Sequence, residues 1–214
     1  MLLTSATAWA ESVKYLYYDT TDKAFKESTQ SAEPLPTASG SSLIYLSGWY
    51  YVKGNASIDK RLNLKGDTHI ILCDDANLII NGENSYVSGS LKNLFVYAQS
   101  NGGHAGAISV TSSTVNTIDV NDFTIHGGKV SATANSDKTT VRVSNDFTIY
   151  GGQLNATANG KNGDVIYIKG NMTVNDGQVT ATANGEKGDA IYSASNSATL
   201  TVNGGKLTAT ALGE

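Results

Sequence analysis

FTIHGGKVSATANS (residues 123–136), FTIYGGQLNATANG (147–160), MTVNDGQVTATANG (172–185) and LTVNGGKLTATALG (200–213) state one pattern four times. Their starting points lie 24, 25 and 28 residues apart, a spacing at which internal repeats build a solenoid rather than a closed globule. Within a repeat the period is two. Phe147, Ile149, Leu154, Ala156 and Ala158 fall on one side of two short strands, and Thr148, Tyr150, Gln153, Asn155 and Thr157 on the other. Gly151 and Gly152 break the chain between those strands at a tight corner. A third strand follows the corner at Asn159 and Gly160, with Ile166 and Ile168 inward and Tyr167 outward. The abundance of Thr, Val, Gly and Asn and the lack of apolar spacing by three and four argue against helix.

One repeat buries too little to stand alone. Two of its inward residues are only Ala, so the apolar area does not offset the entropy of ordering the coil. Stacking is therefore required, with each strand paired in parallel to its counterparts in the coils above and below. Phe123, Phe147, Met172 and Leu200 form one expected inward ladder; Val130, Leu154, Val179 and Leu207 form another. The pairs Ala132/Ala134, Ala156/Ala158, Ala181/Ala183 and Ala209/Ala211 require a narrow interior along one wall. The fold class that follows is all-β: a parallel β-helix with three short strands per coil, right-handed by the crossover rule for parallel strands.

The rest of the chain must serve that stack. With 214 residues, 16% charged, 22 Gly against 2 Pro and a formal net charge of −4, it reads as one elongated domain. The negative balance and the absence of a basic run argue against nucleic acid as a partner. Residues 1–10, ending in Ala8, Trp9 and Ala10 before Glu11, fit the remnant of a signal peptide with its small-x-small cleavage site. No stretch is long and apolar enough to be a transmembrane span. The lone Cys73 reads as a core or corner thiol.

Residues 11–48 are expected to hold a β-hairpin, a linker and a cap. The hairpin runs from 13–18 through a polar turn at 19–23 to 25–29, and the linker SAEPLPTASGSS (31–42) contains both prolines. An exposed solenoid end invites pairing with other chains, so the hairpin with Trp49, Tyr50 and Tyr51 is the expected N-terminal cap. Residues 49–214 are expected to form the β-helix, continuing beyond Glu214. Apolar pairs recur at Leu62/Leu64, Ile70/Leu72 and Leu78/Ile80, then after a wider gap at Leu94/Val96, followed by Ile108/Val110 and Ile118/Val120.

The run GWYYVKGNASIDKRLNLKGDTHIILCDDANLII, then LFVYAQSNGG, then the TV-N-GG-x-[VL]-x-ATA units resemble the secreted right-handed β-helix proteins of gut Bacteroidales and related anaerobes. That family is described as adhesin-like or carbohydrate-binding-domain-like. The resemblance spans residues 43–213 and implies a secreted or cell-surface bacterial protein. It carries no agreed catalytic residues, so it transfers none.

Three kinds of chemistry can be weighed on the residues. A polysaccharide lyase or hydrolase needs clustered carboxylates with a basic partner on one outer face. The best column, Asp122, Asp146 and Asn171, lacks a third acid, and Asp before a strand is corner chemistry. The chain is therefore read as not an enzyme. Calcium could use the turns containing Asn159, Gly160 and Asp164 and Asn184, Gly185 and Asp189, but an amide ladder through Asn135, Asn159 and Asn184 explains them more simply. His69, His104 and His126 lack zinc spacing, and no cofactor or metal is expected. The third candidate is a surface: Arg142, Tyr167 and Tyr192 as one outward column, with His126, Tyr150, Asn175 and Asn203 as a second beside the Gly-Gly corners. Rings with polar tips can cover the apolar face of a sugar while neighbours take its hydroxyls, although such rings also serve cross-strand packing.

Two functional readings follow. One is a non-catalytic module that binds extracellular polysaccharide or host glycan through an outer face; the other is a structural spacer that displays another domain. Monomer and end-to-end association both stay open. The sequons at Asn55, Asn155 and Asn171 are as frequent as chance allows and carry no role.

Overall fold

The computed structural model describes residues 9–37, 43–82, 85–89 and 91–213. Most of the expected signal remnant and residues 38–42 of the expected linker lie outside them. The chain is a β-solenoid of about six turns, and among the described residues it contains no helix and its strands run from β1 to β21 in chain order. Among the described residues no helix is long and apolar enough to cross a membrane.

The coils have three faces. The first carries Leu43 to Leu46 of β3 (Leu43–Val52), Arg61 to Leu64 of β5 (Arg61–Leu72), β7 (Val87–Gly89), β10 (Ile118–Val120), β13 (Val141–Val143), β16 (Ile166–Ile168) and β19 (Ile191–Ser193). The second carries the C-terminal parts of β3 and β5, then β8 (Leu94–Ala98), β11 (Phe123–Ile125), β14 (Phe147–Ile149), β17 (Met172–Val174) and β20 (Leu200–Val202). On the third are β4 (Asn55–Ile58), β6 (Asn77–Asn81), β9 (Ala107–Ser112), β12 (Lys129–Ala134), β15 (Gln153–Ala158), β18 (Gln178–Ala183) and β21 (Lys206–Ala211). All neighbours on these faces pair in parallel, the geometry in which identical positions stack rung on rung.

The expected ladders form. Phe123 pairs with Phe147, Phe147 with Met172 and Met172 with Leu200; Val130, Leu154, Val179 and Leu207 stack on the third face. The Phe123 and Phe147 rings are fully buried and lie parallel, 5.1 Å between centroids. The second residue of each corner (Gly128, Gly152, Gly177, Gly205) has φ between 72° and 86°, a left-handed turn that glycine adopts without a Cβ penalty. The wider gap before Leu94 is filled by Val87 and Gly89, an inward pair hidden from the sequence because one member has no side chain. A Cβ on Gly89 would sit 2.6 Å from the Leu64 Cβ, so Leu64 occupies the space its partner vacates.

Small polar groups also enter the core. Thr140 is fully buried, and its Oγ1 donates to the Thr157 carbonyl at 3.0 Å, as Thr117 does to Thr133. The next coil has Val165 at the Thr140 position. Replacing Thr140 with Val is therefore expected to lose one hydrogen bond without a void, costing about 1 kcal/mol, measured as a shift in denaturation midpoint.

The hairpin differs from an end plug. β1 (Glu11–Asp19) and β2 (Ala24–Pro34) pair antiparallel over their full length, so residues 31–34, read from sequence as linker, belong to a strand. The end of β2 does cover the first coil's edge: Glu33 and Pro34 pair with Tyr50 and Tyr51. The body of the hairpin then lies along the outside of the second face, where Leu16 pairs with Ala98. Val13, Ala32 and Leu35 join the buried cluster there with Tyr51, Ile71 and Tyr97. Parallel pairing between β3 and the next coil begins at Leu43.

Candidate functional site

The expected column on the first face exists. Asp119 pairs with Arg142, Arg142 with Tyr167 and Tyr167 with Tyr192; the first three sit on outward positions between buried aliphatic residues, and Tyr192 lies between Ile191 and the exposed Ser193. The Arg142 guanidinium donates to Asp119 Oδ1 at 3.1 Å and lies 5.3 Å from the Tyr167 ring centroid. Tyr167 and Tyr192 stack with centroids 5.4 Å apart and planes 24° apart. The rings thus face along the solenoid axis rather than outward, because parallel strands bring like side chains face to face. Their edges form the surface instead. Tyr192 is 41% exposed, and neither phenol hydroxyl has a hydrogen-bond partner among the described residues. Beside the column, at the corner between the third and first faces, lies a depression of about 330 Å³ lined by Tyr86, Ser88, Asn116, Asp119 and Lys138. Tyr86 itself accepts from Arg61 at 2.6 Å. Tyr86, Asn116 and Lys138 were not marked by the sequence; they sit in turns, where alternation gives no direction.

His126 and Tyr150 have a different setting. His126 is stacked between Tyr97 (4.7 Å) and Tyr150 (4.9 Å), and Tyr150 between His126 and Tyr18 of the hairpin (4.9 Å). Both faces of both rings are therefore taken. The Tyr18 backbone N–H donates to His126 Nδ1 at 3.0 Å, which holds Nδ1 unprotonated. Burial, with a smaller contribution from His69, pushes the His126 pKa down to about 4. A second stack, Trp49–His69–Phe95, runs beside it at 4.1 and 4.5 Å, and Tyr15 covers Trp49 and Tyr97. These rings fasten the hairpin and offer no free stacking surface. The sequence signal for this cover was the loss of alternation at Tyr50, Tyr51 and Val52 and at Ile70, Ile71 and Leu72, since continuous apolar runs mark strands covered on both sides.

The Asp and Asn columns at the corners are closed on themselves. Asp122 Oδ1 accepts from the Asp146 N–H at 2.9 Å and from the Asn145 side chain at 2.7 Å, and Asp146 Oδ1 accepts from the Asn171 N–H at 2.7 Å. This is the corner chemistry expected of them. The amide ladder is present as well, Asn184 to Asn159 and Asn159 to Asn135, each at 2.8 Å. Asp164 Oδ1 accepts from the Asp189 N–H at 3.1 Å, so these turns are braced rung to rung.

No family model, no curated protein and no solved structure matches this chain.

Proposed function

We propose that this chain is a non-catalytic module of a secreted or cell-surface bacterial protein that binds glycan through the outer side of its first face. One observation carries the reading: most polar columns satisfy one another from rung to rung, whereas the row Asp119, Arg142, Tyr167 and Tyr192 ends in two phenols without partners. Sugar hydroxyls both donate and accept, and a row of phenol, guanidinium and carboxylate groups beside a polar depression complements them. The likeness of residues 43–213 to adhesin-like β-helix proteins of gut Bacteroidales supports an extracellular setting. An open face without a deep pocket binds at about millimolar strength per site and gains by repetition.

The test is binding of the purified chain to a panel of host and plant glycans, beside the Tyr167→Ala/Tyr192→Ala variant with its circular dichroism checked. The expected result is a loss of at least about tenfold in a variant that stays folded. A spacer is the second reading, favoured by the self-satisfied Asn and Asp ladders, and it predicts no ligand anywhere on the panel.

A further inference from the structure

One concavity among the described residues belongs to neither aromatic column. It is a groove of about 650 Å³ along the corner between the second and third faces, and it crosses several rungs. One wall is Phe25, at the tip of the hairpin. Phe25 rests on Gly151, where a Cβ would come within 2.4 Å of its Cζ, so the bare corner lets the hairpin build this wall. The opposite wall is an outward column of the third face in which Lys129, Gln153 and Gln178 succeed one another, one per rung. Lys129 is engaged with the Gly103 carbonyl at 3.2 Å. The Gln153 and Gln178 side-chain amides make no hydrogen bond among the described residues, and the backbone N–H groups of Gly128 and Gly152 on the floor donate to no acceptor there.

We infer that this groove is a second binding site, for a single linear chain of neutral sugar residues lying along the solenoid axis. It shares the ligand class of the proposed function and stands on a separate face. The rungs share a plan of backbone corner on the floor and polar side chain on the wall: Gly152 and Gln153 offer a free N–H and a free amide, Gly128 offers a free N–H beside the engaged Lys129, and Gln178 offers a free amide beside a Gly177 N–H that donates to Asp176 Oδ1 at 2.7 Å. That set matches a polymer of hydroxylated rings whose repeat is comparable to the rung spacing of about 4.8 Å. Phe25 supplies an apolar platform on the facing wall. An extended peptide fits less well. Strand addition needs an unpaired sheet edge, and the groove runs across corners between strands already paired on both sides.

The experiment uses the full chain and titrates cellohexaose, xylohexaose, maltohexaose, an oligogalacturonate and a Thr-rich hexapeptide, followed by amide chemical shifts. Three proteins are compared: the wild type, Gln153→Ala/Gln178→Ala and Tyr167→Ala/Tyr192→Ala. The expected result is binding of at least one neutral hexasaccharide, weaker for its disaccharide, reduced about tenfold by the glutamine variant and unchanged by the tyrosine variant. A loss confined to the tyrosine variant overturns the groove and leaves the first face standing. A loss confined to the glutamine variant supports the groove and leaves the first face to the panel test of the tyrosine variant. Loss in both folded variants, preference for the peptide or the oligogalacturonate, or no neutral binding at about 10 mM each overturns the inference.

Discussion

Replacing Phe147 with alanine is expected to lower the stability of the solenoid by about 3–5 kcal/mol. Phe147 is fully buried, lies parallel to Phe123 and is followed by Met172 in the same ladder. Removing its ring takes contacts from the rungs on both sides. Collapse around the void is limited, because neighbouring backbones are pinned by ladder hydrogen bonds and no rung can shift alone. Phe147→Leu, the residue that the same column uses at Leu94 and Leu200, is expected to cost about 1–2 kcal/mol. Thr148→Ala on the outer side should stay within about 0.5 kcal/mol. Denaturant midpoints of the three variants check the order. A Phe147→Ala cost below about 1 kcal/mol would mean that this ladder is not the core.

Acid is expected to loosen the hairpin before the coils. His126 Nδ1 accepts from the Tyr18 N–H, and its pKa is held down to about 4 from an ordinary 6.5. The detached state binds the proton more readily, so the contact contributes fully above pH 6.5, weakens as pH falls and is lost below about 4. The amount is on the order of 2–3 kcal/mol. His69, also lowered by burial, acts in the same direction from its stack with Trp49 and Phe95. Hydrogen exchange between pH 7 and 4 should show the amides of β1 and β2 losing protection while β12, β15 and β18 keep theirs. His126→Phe retains a ring in the stack but cannot titrate, and most of the hairpin's pH slope should vanish with it. An unchanged slope in that variant would assign the effect to other groups.

The coils were legible in the sequence because their order is local. Period two at Phe147 and Ile149, glycine at the left-handed corners and a repeat of about 25 residues each follow from neighbouring residues. Gly89 escaped because an inward position without a side chain leaves no mark on an apolar pattern. The hairpin's location was not legible, since Tyr18 meets His126 across 108 residues of chain and only the apolar runs at Tyr50–Val52 and Ile70–Leu72 hinted at a cover. The candidate column was placed by alternation, which separates inward from outward. Alternation does not give the ring planes, so the stacking of Tyr167 on Tyr192, and the exposure of edges instead of faces, came from the structure. The groove was invisible for a related reason: it is built by what the corners lack and by a hairpin tip that reaches them from far away in sequence.

Glycan binding at the first face is measured by titrating tyrosine-labelled protein with the glycan that the panel identifies as tightest, read at the ring resonances. Tyr167 and Tyr192 are expected to shift together with the Arg142 side chain, while Tyr97 and Tyr150, locked beneath the hairpin, stay still. Saturable binding that leaves Tyr167 and Tyr192 unmoved, or a panel in which no glycan moves any resonance, would contradict binding at the first face.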